Sequence, residues 1–258
     1  MDDYIESPEI VDCLADLVYS QPDPKAAADK IFAANKDKAV RGNVLLLIGQ
    51  MAVMESQIRL RGVKYAEWSK QMKDEELEVL AHDTFTRIKD EYADVPYWRS
   101  ENLGNIAEMQ LFEFDHLGVG DEVEDIVGKD SQGMSLKLSD YRGKIVVLDF
   151  WGSWCGPCIS DLPKLNKIAK DFADDIVVLG VMEDTEADAK AALAKHNIKW
   201  RNWIEPRRGP IGTRWNIDSW PTNYLIGRDG KIIAKSLRGR QLYKAIEKHL
   251  DEEKAKKK

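Results

Sequence analysis

The most specific stretch of this chain is Asp149-Phe150-Trp151-Gly152-Ser153-Trp154-Cys155-Gly156-Pro157-Cys158. It starts inside Lys144-Ile145-Val146-Val147-Leu148-Asp149-Phe150, a continuous apolar run that reads as a buried strand. It ends in a helix expected from about Cys155 to Phe172, kinked or restarted at Pro163. Cys155 then falls at a helix N-terminus, where unpaired N–H groups and the helix dipole favour a thiolate. A thiolate is the nucleophile of disulfide exchange. Gly156 and Pro157 let the chain turn tightly into the helix. Cys158, one turn on, is placed to close a disulfide and release a bound partner. On this reading Cys155 is the exposed thiol and Cys158 the shielded one.

Outward from this run the grammar stays mixed. Ser135 to Leu138 reads as a short strand after a turn at Asp130-Ser131-Gln132-Gly133. Ile176 to Met182 is a second buried strand, Glu186 to His196 an Ala-rich helix, and Ile198 to Ile204 a short strand. Thr222 to Ile226 and Lys231 to Leu237 flank a turn at Arg228-Asp229-Gly230 and make a hairpin. A last helix from about Gln241 to Leu250 is expected to fray into Lys254, Lys256, Lys257 and Lys258, a solubilising end. The expected fold of 118–258 is α/β, a mixed sheet with helices on both faces.

Residues 1–117 read differently. Ser7-Pro8 and Asp23-Pro24 are helix starts, an N-cap followed by Pro at the first helical position. Further helices are expected over about Lys38 to Arg61, stopped by Gly62, Asp74 to Tyr92, broken at Val95-Pro96, and Leu103 to His116. Short polar links between them predict an all-α helical domain ahead of the α/β one.

Composition narrows the function. The 258 residues carry 38 Lys and Arg against 45 Asp and Glu, a net charge of −7, which argues against a nucleic-acid binder. The longest apolar run, Val44-Leu45-Leu46-Leu47-Ile48, is far short of the roughly 20 residues that span a bilayer. Met1-Asp2-Asp3-Tyr4 lacks the basic start of a signal peptide, so either the chain is cytosolic or an export signal lies outside it. A structural zinc half-site at Cys155 and Cys158 needs two more ligands. Only Cys13 and the scattered His82, His116, His196 and His249 remain, none in paired spacing, so no metal is expected. Two buried structural cysteines would not need Trp-Cys-Gly-Pro-Cys at a strand–helix junction.

The dithiol run resembles the active site of the thioredoxin superfamily. Residues 118–250 more specifically resemble the TlpA/ResA-like (redoxin, AhpC/TSA-like) thiol–disulfide oxidoreductases. The likeness rests on Gly120-Asp121-Glu122-Val123, Ser139-Asp140-Tyr141-Arg142-Gly143-Lys144, Val147-Leu148-Asp149-Phe150-Trp151 and Trp220-Pro221-Thr222. With its helical leader the chain is similar to redoxins of planctomycete-type bacteria. The resemblance implies a thioredoxin-like fold, Cys155 as attacking and Cys158 as resolving thiol, and Asp149 as a buried acid relaying a proton to or from Cys158. Asp161, in Asp161-Leu162-Pro163, stands where these proteins often carry Glu, one methylene longer. The resemblance also implies a cis Trp220–Pro221 bond, with Trp220, Pro221 and Thr222 presenting backbone to a substrate segment beside Trp154, Gly156 and Pro157.

Related chemistries fail on spacing. A peroxiredoxin-like site resembles Pro-x-x-x-Thr-x-x-Cys, but Gly152 stands where the Thr would be. Copper-delivery relatives use Cys-x-x-x-Cys with a His. Trp154 and Trp220 are expected at an apolar rim, and Trp151, Trp200, Trp203 and Trp215 in the core. Arg207-Arg208-Gly209-Pro210 reads as a solvated basic loop, with an acidic partner as the alternative. The expected partners are protein disulfides or thiols and an upstream electron donor, with no bound cofactor. The Gly-Pro dipeptide points towards reduction, and the resemblance towards an extracytoplasmic setting. The competing reading makes the helical half a protein-binding module and the α/β half regulatory or structural.

Overall fold

The computed structural model describes residues 4–60, 66–97 and 101–256; the expected Gly62 stop and the Lys257 and Lys258 end of the tail lie outside them. The chain divides into two compact units, Met1–Phe114 and Asp115–Lys258.

The first unit is helical, and polar caps set its element starts. The Ser7 side chain accepts from Glu9 N–H at the head of a 3-10 turn, Pro8–Cys13, that leads into α1 (Leu14–Tyr19). Asp23 accepts from Ala26 N–H ahead of α2 (Pro24–Ala34), which has Pro at its first position. Asp37 accepts from Val40 N–H at the start of α3 (Lys38–Leu60). α4 (Asp74–Glu91) and α5 (Leu103–His116) follow. The apolar run of α3 is explained by burial on two sides. Val44, Leu47 and Ile48 pack with Leu14, Val18 and Ile31, while Leu45 and Leu46 pack with Phe85, Ile88 and Leu103. A helix that is apolar nearly all round is an interior helix. Among the described residues no helix is long and apolar enough to cross a membrane.

The second unit is α/β and thioredoxin-like. A two-stranded hairpin, β1 (Val127–Lys129) and β2 (Ser135–Lys137), precedes the main sheet. That sheet holds β3 (Ile145–Trp151), β4 (Ile176–Glu183), β5 (Asn202–Glu205), β6 (Thr222–Ile226) and β7 (Ile232–Lys235) in the order β5-β4-β3-β6-β7. β3, β4 and β5 are mutually parallel, and β6 and β7 are antiparallel additions. α6 (Gly156–Asp171) crosses from β3 to β4, α7 (Glu186–Lys195) from β4 to β5, and α9 (Gly239–Lys256) follows β7.

Side-chain alternation along β3 assigns the faces. Ile145 and Val147 pack with Leu165 and Ile168 of α6 and Leu242 and Ile246 of α9, and Trp151 packs with Ala189 and Ala192 of α7. Asp149 shares this helix-covered face. Phe150 points the other way, against Trp215, which follows the short α8 (Pro210–Arg214), and Tyr224. Trp203 is also on that face and donates to Leu136 O at 3.3 Å.

α6 runs through Pro163 as one helix, which rules out the restart of the two alternatives there. Two further points differ from expectation. The β1 strand was not expected; two of its three residues are exposed, so it lacks the apolar signal of a buried strand. α9 is helical to Lys256 rather than fraying after Leu250, because Arg228 bridges Glu253 at 3.0 Å and Asp175 at 2.5 Å and pins its last turns.

β4 and β5 pack closely at Gly180. Asn202 Oδ1 accepts the buried Trp151 indole N–H at 3.0 Å, and a Cβ on Gly180 would collide with that oxygen. Gly180→Ala is therefore expected to lower the unfolding free energy by about 2 kcal/mol, through overpacking and a strained buried hydrogen bond. Urea melts of the two proteins would measure it, and an unchanged midpoint would count against this packing.

Candidate active site

The site forms where β3 ends. All seven residues of β3 are buried, so the strand fixes Asp149 and Trp151 rigidly. The chain leaves at Gly152, where a Cβ would press to 2.5 Å from the Trp154 indole nitrogen. Ser153 is held by Asp184, which accepts its N–H at 2.7 Å and its hydroxyl at 2.6 Å. The Trp154 indole donates to Glu183 O at 2.8 Å. Cys155 is the N-cap of α6, and its sulfur accepts from Cys158 N–H at 3.2 Å. Cys155 and Cys158 are joined as a disulfide.

Cys155 is not an exposed thiol in this oxidised form. Its relative exposure is 5% against 2% for Cys158, so both are buried. The physical reason is the packing around the pair. Both cysteines belong to a cluster with Trp151, Leu162 and Met182, against which Trp220 and Ile159 also pack. Gly156 and Pro157 lie exposed beside them.

The rim is aromatic. Trp154 is 44% exposed, and its ring meets that of Trp220 edge-on, with centroids 5.2 Å apart. Trp220–Pro221 is cis, as the resemblance implies. Thr222 starts β6 and donates its hydroxyl to Ser219 O at 2.8 Å. Trp151, Trp203 and Trp215 are core residues, and Trp200 is partly buried.

Around Asp149 lies a very small cavity, lined by Asp149, Asp161, Lys164, Pro221, Asn223 and Arg238 together with the apolar Leu165, Ile168 and Leu242. Asp149 is 2% exposed, and its carboxyl is pushed up to about 7 by burial and then by the nearby charge of Asp161, against the opposing pull of Arg238. Asp161 forms an ion pair with Lys164 at 2.7 Å. Arg238 donates to Pro221 O at 2.9 Å, tying the start of the last helix to the cis-proline loop. Asn223 stands opposite Asp149 in the β3–β6 register and donates to Leu237 O at 2.5 Å. Arg238 and Asn223 belong to no sequence motif, and only the folded sheet brings them to Asp149.

A second acidic pair sits at the far side of the rim. Glu183 and Glu205 end β4 and β5, both buried, and burial raises the pKa of each. Glu183 accepts from Arg208 N–H at 3.2 Å, and Glu205 from Ile211 and Gly212 N–H at 2.8 and 2.7 Å. These bonds hold the loop that carries Arg207. That residue is exposed but not free in solvent: its guanidinium carbon lies 4.4 Å from the Trp154 ring centroid and 5.6 Å from that of Trp220.

A disulfide capping a helix after the central strand of a thioredoxin-like sheet, beside a cis-proline loop, defines a thiol–disulfide exchange protein. Comparison with known proteins agrees. Residues 119–235 match the AhpC/TSA family. The thiol–disulfide oxidoreductase ResA of Bacillus cereus is 31% identical over 135 residues, 51% of this chain and 76% of that protein. ResA of Geobacillus kaustophilus is 32% identical over 138 residues, 52% of this chain and 78% of that protein. The thioredoxin domain of a thiol–disulfide oxidoreductase from Bacteroides vulgatus is 32% identical, with a TM-score of 0.48, over 51% of this chain and 97% of that one. The chain belongs to the ResA-like thiol–disulfide oxidoreductases.

Proposed function

We propose that this oxidoreductase works as a reductant of protein disulfides, with Cys155 and Cys158 as its exchanging pair. In the reduced form, Cys155 thiolate attacks a partner disulfide. A mixed disulfide forms, and one partner sulfur leaves as a thiolate. Asp149 then takes the Cys158 proton, and the Cys158 sulfur attacks Cys155. The partner's second sulfur leaves and is protonated, and the Cys155–Cys158 disulfide remains. Two electrons pass to the partner, and a dithiol donor upstream returns them. No bound cofactor takes part. The family likeness also favours an extracytoplasmic setting.

The observation that supports this most is the Cys155 sulfur accepting the Cys158 N–H at the start of α6, because the same bond favours a thiolate there. The direction rests on the Gly-Pro between the cysteines. The test is reduction of insulin by the full chain with dithiothreitol as donor. The expected result is chain precipitation well ahead of dithiothreitol alone. A protein whose α/β half is merely structural would give no acceleration.

A further inference from the structure

We infer that Arg207 is a specificity-determining residue, selecting disulfides flanked by acidic side chains. The inference rests on the exchange reaction proposed above and names the class of partner it takes.

Arg207 stacks on the two tryptophans that border the dithiol. One ring belongs to the residue before Cys155 and the other to the residue before Pro221. A peptide approaching the sulfurs between these two segments must therefore pass beside the guanidinium. Stacking of this kind is favourable, and it leaves the edge of the guanidinium plane free to donate. No carboxylate among the described residues forms an ion pair or hydrogen bond with Arg207. Asp184 accepts from Ser153 and Glu205 from Ile211 and Gly212, while Glu183 accepts from Arg208 N–H through one oxygen and feels the Arg207 charge at longer range without an ion pair.

The position is also built rather than incidental. The two buried glutamates fix the backbone on the C-terminal side of Arg207 through three N–H bonds. Arg208 adopts a left-handed backbone, with φ of 57°, in that turn. The Trp154 indole is tied to the backbone of Glu183, the residue whose side chain holds the loop. The protein therefore holds an exposed cation on the aromatic rim beside the dithiol, on a chain whose net charge is −7. The chemistry that completes it is a carboxylate. A guanidinium edge offers paired donors that match a carboxylate in plane. An Asp or Glu beside the reacting cysteine of the partner would be captured as that cysteine is presented to Cys155.

The test uses the full reduced protein and two synthetic peptides, each with one disulfide. They are identical except that Asp or Lys flanks the cysteines. The unaltered protein is expected to favour the Asp peptide in kcat/KM by about tenfold at low ionic strength, and by much less near 0.5 M salt, where charges are screened within roughly 4 Å. Arg207→Gln should abolish the preference, Arg207→Glu should reverse it, and Arg207→Lys should keep part of it. A residue that only packs against the rings would change both peptides alike and leave the ratio unmoved. Equal use of the two peptides by the unaltered protein, or a preference that survives in Arg207→Gln, overturns the inference while leaving the exchange reaction standing. No exchange with either peptide removes the underlying reaction, and the inference with it.

Discussion

Replacing Cys155 with serine is expected to abolish disulfide exchange, while Cys158→Ser leaves the first attack intact and strands the partner as a mixed disulfide. The asymmetry follows from position. Cys155 is the N-cap, its sulfur already accepting the Cys158 N–H, so a negative sulfur gains a hydrogen bond and a favourable dipole. Cys158 lies one turn inside α6, where it can close a disulfide with Cys155. A serine hydroxyl is a far weaker nucleophile than a thiolate, so the loss in Cys155→Ser should be on the order of 10³-fold or more. Non-reducing gels of the two variants, mixed with a disulfide-bonded protein, would show adducts with Cys158→Ser and almost none with Cys155→Ser. Adducts appearing with Cys155→Ser would exchange the two roles.

The second large effect concerns the buried acid. Asp149→Ala should slow the resolving step by about 10²-fold, the contribution typical of a positioned general base. Burial pushes the Asp149 carboxyl up to about 7, so the carboxylate proposed to accept the Cys158 proton is present above that pH and is lost below it. The resolving rate of the unaltered protein should therefore rise through about pH 7, and Asp149→Ala should lose that step. Asp161→Ala should do less: it removes a neighbouring negative charge, so the step should move to lower pH without vanishing. If Asp161→Ala proves the more damaging, Asp161 carries the proton and Asp149 is structural. Stability gives an independent reading. The folded-state value lies above the ordinary 3.8, so the folded form holds the proton more tightly than the unfolded one. Ionisation thus costs stability progressively between about pH 4 and 7. Asp149→Asn, which never ionises, should gain in relative melting temperature across that window and keep the gain above it.

Much of this was legible in sequence wherever a local signal exists. The β3 strand, the helix start at Cys155 and the hairpin strand β6 announce themselves through apolar runs and turn residues. The two cysteines and the cis-proline segment could be paired because the resemblance joins them across more than sixty residues. What escaped is made by tertiary contact. Cys155 reads as exposed because helix N-termini usually are, yet the packing around the disulfide leaves it 5% accessible. Arg207 reads as a solvated charge because nothing in Arg207-Arg208-Gly209-Pro210 shows that two distant tryptophans lie beneath it. Arg238 and Asn223 carry no signal at all, since their meeting with Asp149 depends on strand register. The extra turns of α9 were missed because Arg228, in another loop, supplies their anchor.

The three hydrogen bonds that bind Ser153 and Trp154 to the end of β4 bear on the energetics of encounter. Immobilising a backbone residue costs about 1–2 kcal/mol of conformational entropy. Here that cost is met when the protein folds, so the reactive loop arrives at each collision already ordered. A partner has only its own disulfide to orient, and the free energy of docking can go into alignment of three sulfurs rather than into assembling the surface that receives them.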